Sequence, residues 1–197
     1  MSYSITAITD DYYEGTDCLV NKMNIQDSEQ LAGIEASITL AKTATLERTP
    51  QSTSFDFEHY KNIHRYLFED LYEWAGEIRH VDISKKGTSF TPANDIEATA
   101  KLCFDRLKKQ NCFKNLGFDD FVEKIVDFYC DTNMLHPFRE GNGRTQRIFV
   151  AQLIRFCGYD INFSEIDTDE LMIATIQAAN GITDYLKEIF KNHIKNK

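Results

Sequence analysis

The chain has 197 residues, 42% of them hydrophobic, with 31 Asp and Glu against 22 Lys and Arg and a formal net charge of −9. That length supports one sizeable core and is short for two, so a single domain over residues 1–197 is expected. The acidic balance argues against nucleic-acid phosphates or an anionic membrane as direct partners.

The opening stretch MSYSITAITDDYYEG carries neither a basic nor an apolar signal region, and no run of about 18 apolar residues occurs, so a cytoplasmic protein is expected. Cys18, Cys103, Cys112, Cys130 and Cys157 are odd in number and form no CxxC pair, which reads as free thiols. Leu31, Ile34, Ile38 and Ala41 recur at helical spacing and predict a helix over 27–46; Tyr60, Ile63, Leu67 and Leu71 predict another over 57–72. A polar loop around Pro50, from Thr49 to Ser54, joins them. RHVDISKKGTSFTP, residues 79–92, alternates around a K-K-G-T tip and predicts a β-hairpin.

Helices are expected again over 96–109 and over 119–133, with Asp119 as N-cap. The bond to Pro137 disfavours helical geometry at His136, so that second helix should stop near Met134. Three more are predicted: from just after Gly143 to Phe156, over 167–179 behind the D-T-D-E cap, and over 183–194. The expected fold class is all-α with one small hairpin.

Between the helix that ends at Met134 and the one that begins after Gly143 lies HPFREGNGRTQR, residues 136–147. Gly141 and Gly143 permit positive φ and close backbone approach, so the amides of Gly141, Asn142 and Gly143 can converge on phosphate oxygens at a helix N-terminus. Arg144 and Arg147, three apart, project from nearly one side of the first turn, where cations oppose the helix dipole and a bound polyphosphate would offset that penalty. Glu140 is the single acid of the loop and suits a magnesium ion completed by phosphate oxygens and water. His136, with an ordinary imidazole pKa of about 6.5, suits a base for a hydroxyl proton. Base, metal ligand, anion nest and arginine pair together point to nucleotidyl or phosphoryl transfer. No H-E-x-x-H or Walker P-loop occurs.

The motif matches every defined position of H-P-F-x-[D/E]-G-N-G-R-x-x-R and so resembles the Fic family signature. Arg139 falls on its variable position and receives no role. Similarity continues through YYEGTDCLVNKMNI, where Glu14 replaces a common proline, and through IHRYLFEDLYEWAGEIRHVDISKKGTSF. The resemblance implies a helical protein adenylyltransferase that moves AMP from ATP to a Ser, Thr or Tyr hydroxyl of a target protein. His136 would be the base and Glu140 the Mg2+ ligand. Gly141, Asn142 and Gly143 would bind phosphates, and Arg144 and Arg147 would clamp the β/γ end.

By the same resemblance, the hairpin is a flap, with Ile83, Ser84, Lys85, Lys86, Gly87 and Thr88 holding a target segment by strand addition. An edge-protecting structural hairpin is the alternative. Rival functions on the same fold are transfer of UMP, phosphocholine or phosphate, and an idle nucleotide-binding interaction module. The phosphate-transferring Doc type carries a lysine where Gly143 stands. Many relatives are inhibited by [S/T]-x-x-x-E-[G/N], whose Glu pairs with the second motif arginine, here Arg147. No complete copy occurs: Thr43 to Glu47 runs into Arg48, Ser54 to Glu58 into His59, and Leu31 to Glu35 lacks the hydroxyl and is followed by Ala36. The expected inhibitor is therefore a separate small antitoxin carrying that motif, as for toxin relatives, some of which modify DNA gyrase and topoisomerase IV.

Overall fold

The structure, a computed structural model, describes residues 4–5, 11–48 and 54–196, the first pair by backbone only. The expected loop at 49–54 lies outside the described residues apart from Ser54. A short strand β1 (Ser4–Ile5) precedes helix α1 (Ser28–Arg48). Asp27 starts α1 by accepting the Gln30 amide at 2.7 Å. Its buried stripe is Leu31, Glu35 and Thr39, while Ile34 and Ile38 are half-buried and Ala41 is exposed. Two of the three inward positions are polar, so apolar spacing alone misplaces this helix by a fraction of a turn.

Helix α2 (Phe57–Phe68) starts at Asp56, whose carboxylate accepts the His59 amide. It ends four residues before the expected Tyr72. Leu71 and Tyr72 are buried, but in the turns that follow. A buried turn continues the apolar spacing as well as another helical turn would.

Strands β2 (Ile83–Lys85) and β3 (Thr88–Ser89) form the expected hairpin, with Lys86 and Gly87 at positive φ in its tip. The sheet gains a third member, because β1 pairs antiparallel with β2 through Ser4 opposite Ser84 and Ile5 opposite Ile83.

Helix α3 (Ile96–Lys109) has the expected bounds, and α4 (Phe118–Leu135) follows it. Asp119 lies inside the first turn of α4 rather than at its cap, which is Gly117; with Asp120 it favours the helix dipole there. Helix α5 (Asn142–Phe156) begins before Gly143, two residues earlier than expected. Helix α6 (Thr168–Ala179) is capped by Asp167, which accepts the amides of Asp169 and Glu170, and α7 (Asp184–His193) follows. Strands β4 (Tyr159–Asp160) and β5 (Lys195–Asn196), not foreseen, make a second small sheet.

The run IFVAQLI in α5 is buried on all sides, which makes α5 the axis of the molecule, packed between α2 and α4. Phe149 meets Tyr60 of α2, Phe104 of α3 and Phe128 of α4 at ring separations of 5.3–5.8 Å. The five cysteines are free thiols, as expected. Among the described residues, no helix is long and apolar enough to cross a membrane.

Candidate active site

The sharp turn between α4 and α5 forms the floor of the site. His136 closes α4 in the left-handed region, at φ 41 and ψ 59, a conformation unusual for a non-glycine residue. Gly141 precedes α5 at φ +77. Between them the Asn142 amide group braces the loop, accepting the Phe138 N–H at 2.9 Å and donating to the Phe138 carbonyl at 2.7 Å. Its side chain thus braces the loop from within. Gly141 N–H donates to Glu140 Oε1 at 2.8 Å. The Gly141 amide is thus engaged by Glu140, whereas Asn142, Gly143 and Arg144 head α5, where amides lack intrahelical acceptors. Gly143 is helical and needs no positive φ; its value is space, because a Cβ there would lie 3.2 Å from Arg147 Nη1.

His136 donates from Nδ1 to the Asn133 carbonyl at 2.9 Å, which assigns the unprotonated position to Nε2. Phe90, just after β3, stacks on the imidazole at 3.7 Å. Burial, with help from the positive charges of Lys85 and Arg79, pulls the His136 pKa down from 6.5 to about 3. The ring is therefore neutral at pH 7 by a wide margin, whereas the sequence implied an ordinary value. Arg79, itself buried, donates to the carbonyls of His136, Val81 and Thr91 and so joins the motif loop to both ends of the hairpin.

A second buried histidine, His64 of α2, ties the other side of the loop. Its Nε2 donates to the Glu140 carbonyl at 3.0 Å, its Nδ1 accepts the Gly76 amide at 2.8 Å, and its ring stacks on Phe138 at 3.8 Å. Burial, reinforced by Arg144 and Arg65, lowers its pKa to about 3. Neither Arg79 nor His64 was singled out from the sequence, since each stands among other polar residues without motif spacing.

The turn borders one cavity of 860 Å³, whose lining includes His136 and Gly143 but not Glu140, Gly141 or Asn142. His136, Gly143, Arg144 and Arg147 line its floor, Lys85, Lys86, Thr88 and Phe90 one wall, and Leu40, Thr43, Leu46 and Glu47 of α1 another. Met172 and Ile176 of α6 face the flap, and Lys86 reaches Met172 across the mouth. Of the flap residues, Lys85, Lys86 and Thr88 thus meet the cavity, whereas Ile83 is buried and its backbone, like that of Ser84, is already paired with β1. Arg139 pairs with Asp11 at 2.9 Å and stacks over Tyr12, with no part in the cavity lining.

Glu35 departs from expectation in its partner. It binds Arg144, the first motif arginine, at 2.5 Å, while among the described residues no carboxylate is paired with Arg147. A signal existed in the sequence, because Leu31, Glu35 and Thr39 form an i,i+4 stripe that puts an acid on an inward face. Glu140 is about a quarter exposed and 3.6 Å from Arg144. Its Oε2 accepts no hydrogen bond from the described residues, so a hard divalent cation completed by phosphate and water oxygens fits this carboxylate.

Comparison with known proteins places this geometry. The chain is 34% identical over 179 residues to Protein adenylyltransferase VbhT of Bartonella schoenbuchensis, covering 91% of this chain but 37% of that protein. It is 33% identical to Probable protein adenylyltransferase Fic of Escherichia coli K12, covering 90% of this chain and 88% of that one. Its fold matches that of the Bartonella tribocorum BepC protein with bound AMPPNP at a TM-score of 0.90 and 27% identity, over 95% and 97% of the two chains. Residues 54–154 match the Fic/DOC family, and with these similarities across nine-tenths of its length the chain belongs to that family.

Proposed function

We propose that the protein is a protein adenylyltransferase that transfers AMP from ATP to a hydroxyl side chain of a target protein, with release of pyrophosphate. The observation that carries this reading is the placing of a neutral, oriented imidazole and two arginines on the floor of one cavity. The relatives named as adenylyltransferases and the AMPPNP-bound BepC structure support ATP as the nucleotide.

In this reading, His136 Nε2 takes the target hydroxyl proton as its oxygen bonds to the α-phosphorus. The bond to the bridging β-phosphate oxygen breaks, and its electron pair leaves with pyrophosphate. Arg144, Arg147 and the first amides of α5 balance the charge of the leaving end. A pKa near 3 describes the site without nucleotide; phosphate charge beside Lys85 and Arg79 would raise it toward a more useful base. Glu140 would hold Mg2+, which would neutralise phosphate charge and orient the leaving group. Lys85, Lys86 and Thr88 would guide an extended target segment, with DNA gyrase or topoisomerase IV as candidates by family analogy.

Arg147, without a carboxylate partner among the described residues, suits control by a separate antitoxin whose S/T-x-x-x-E-G/N glutamate would form a bidentate pair with it. Five free thiols fit a reducing cytoplasm.

The test is intact-mass analysis of lysate proteins incubated with the enzyme and Mg-ATP. An adenylyl mass increment that disappears with His136→Ala is expected. A phosphoryl increment, or full transfer by His136→Ala, would overturn the reading. Glu140→Ala should lose more activity at low magnesium than at high; equal loss at both removes Glu140 from metal binding.

A further inference from the structure

Glu35 is a buried acid on a helix that otherwise offers the core Leu31 and Thr39, and both of its oxygens are engaged. Oε1 accepts Arg144 Nη2 at 2.5 Å, and Oε2 accepts the Tyr72 hydroxyl at 2.5 Å. Tyr72 is fully buried, stacked on Trp74 at 4.3 Å, and burial together with Glu35 pushes its phenol pKa up, so it stays a donor. One turn further along α1, Thr39 Oγ1 lies 3.4 Å from Arg144 Nη1. Beneath the guanidinium is the Phe68 ring at 4.8 Å, and Glu140 is 3.6 Å away in the loop before α5. Arg144 is thus held on three sides, yet it lines the cavity and about a quarter of its five-donor side chain stays exposed.

We propose that Glu35 is a positioning residue for phosphate recognition: it fixes Arg144 so that its cavity-facing N–H groups are already aligned for the β/γ end of the nucleotide. The proposal rests on the nucleotide reading above. The opposite role, a latch that withholds Arg144 from ATP, requires an open state. None is available at low cost, because releasing Arg144 would strand a buried carboxylate with the Tyr72 hydroxyl alone. Arginine is also the side chain whose rotamer freedom is costly to lose on binding, so a fork ordered beforehand strengthens the complex without any new contact.

Glu35→Gln separates the two roles by sign. It preserves shape while removing a negative charge next to the phosphate site, so electrostatics alone, and equally a latch, predict tighter ATP binding. Positioning predicts weaker binding, because the neutral amide no longer holds the cation.

Calorimetric titration of the full chain with Mg-AMPPNP and with AMP tests this. AMP lacks the β and γ groups and serves as the internal control. The expected result is a rise of about tenfold in Kd for Mg-AMPPNP, equivalent to ordering one long side chain, with AMP affinity unchanged. Tyr72→Phe, which loosens the carboxylate but keeps it, should shift Mg-AMPPNP in the same direction by a smaller factor, and it carries the test if Glu35→Gln does not fold. Unchanged or tighter Mg-AMPPNP binding overturns the proposal, as does an equal loss for both ligands, which would mark Glu35 as structural. Failure of the wild-type chain to bind Mg-AMPPNP would instead count against the nucleotide reading.

Discussion

Gly141 and Gly143 flank the same asparagine, yet replacing each by alanine should have opposite effects on the fold. At Gly141 a Cβ would lie 2.2 and 2.3 Å from Phe68 Cζ and Cε2, and the backbone has φ +77. The left-handed conformation costs a non-glycine residue about 1–2 kcal/mol. Phe68 is fully buried, so its ring cannot swing aside without overpacking, which adds about 1–3 kcal/mol. Gly141→Ala should therefore lose about 2–5 kcal/mol by urea denaturation. Because the Phe68 ring also supports the Arg144 guanidinium, the surviving folded protein should bind Mg-AMPPNP poorly.

At Gly143 the backbone is helical and, among the described residues beyond the helix's own backbone, a Cβ would meet the flexible end of Arg147 at 3.2 Å. Gly143→Ala should keep or raise stability, by up to about 1 kcal/mol, while weakening nucleotide binding by crowding Arg147. If Gly141→Ala stays within about 1 kcal/mol of wild type, the turn is not wedged against Phe68 and the reasoning fails.

Two further outcomes follow from the buried polar groups. Arg79→Met keeps the bulk but removes the donor shared by three carbonyls, and should cost about 3 kcal/mol in denaturant titration; a loss below about 1 kcal/mol would show that this guanidinium is replaceable. His136 and His64 each have a folded-state pKa of about 3 against 6.5 when exposed, so the unfolded chain takes up protons first. Stability should be full above pH 6.5 and decline as pH falls from 6.5 toward 3, by up to about 1.4 kcal/mol per pH unit for each histidine. A urea midpoint unchanged between pH 7.5 and pH 5.5 would refute the burial of both rings.

Helices with one apolar face were legible from spacing, and α3 came within its exact bounds because Ile96, Ala100, Cys103, Phe104 and Leu107 all point inward. The contiguous motif was legible too, since its chemistry lies in adjacent residues. Three features were not. The three-stranded sheet depends on β1, whose two residues have no period to detect and whose partner is nearly eighty positions away. The depressed pKa of His136 comes from burial and from Lys85 and Arg79, which reach it only through the fold. Glu35 was noticed for its resemblance to an inhibitory motif, and only the meeting of α1 with α5 decides which arginine it touches.

Arg79 ties the two roots of the hairpin to the carbonyl of the very residue whose ring would receive the proton. Flap and base then move as one rigid jig. A peptide that paired with the hairpin would then meet the imidazole at a fixed offset from its first paired residue, whatever its composition. Which hydroxyl is modified would be decided by counting along the bound strand, so shifting a serine by two positions in a target loop would abolish modification as completely as deleting it.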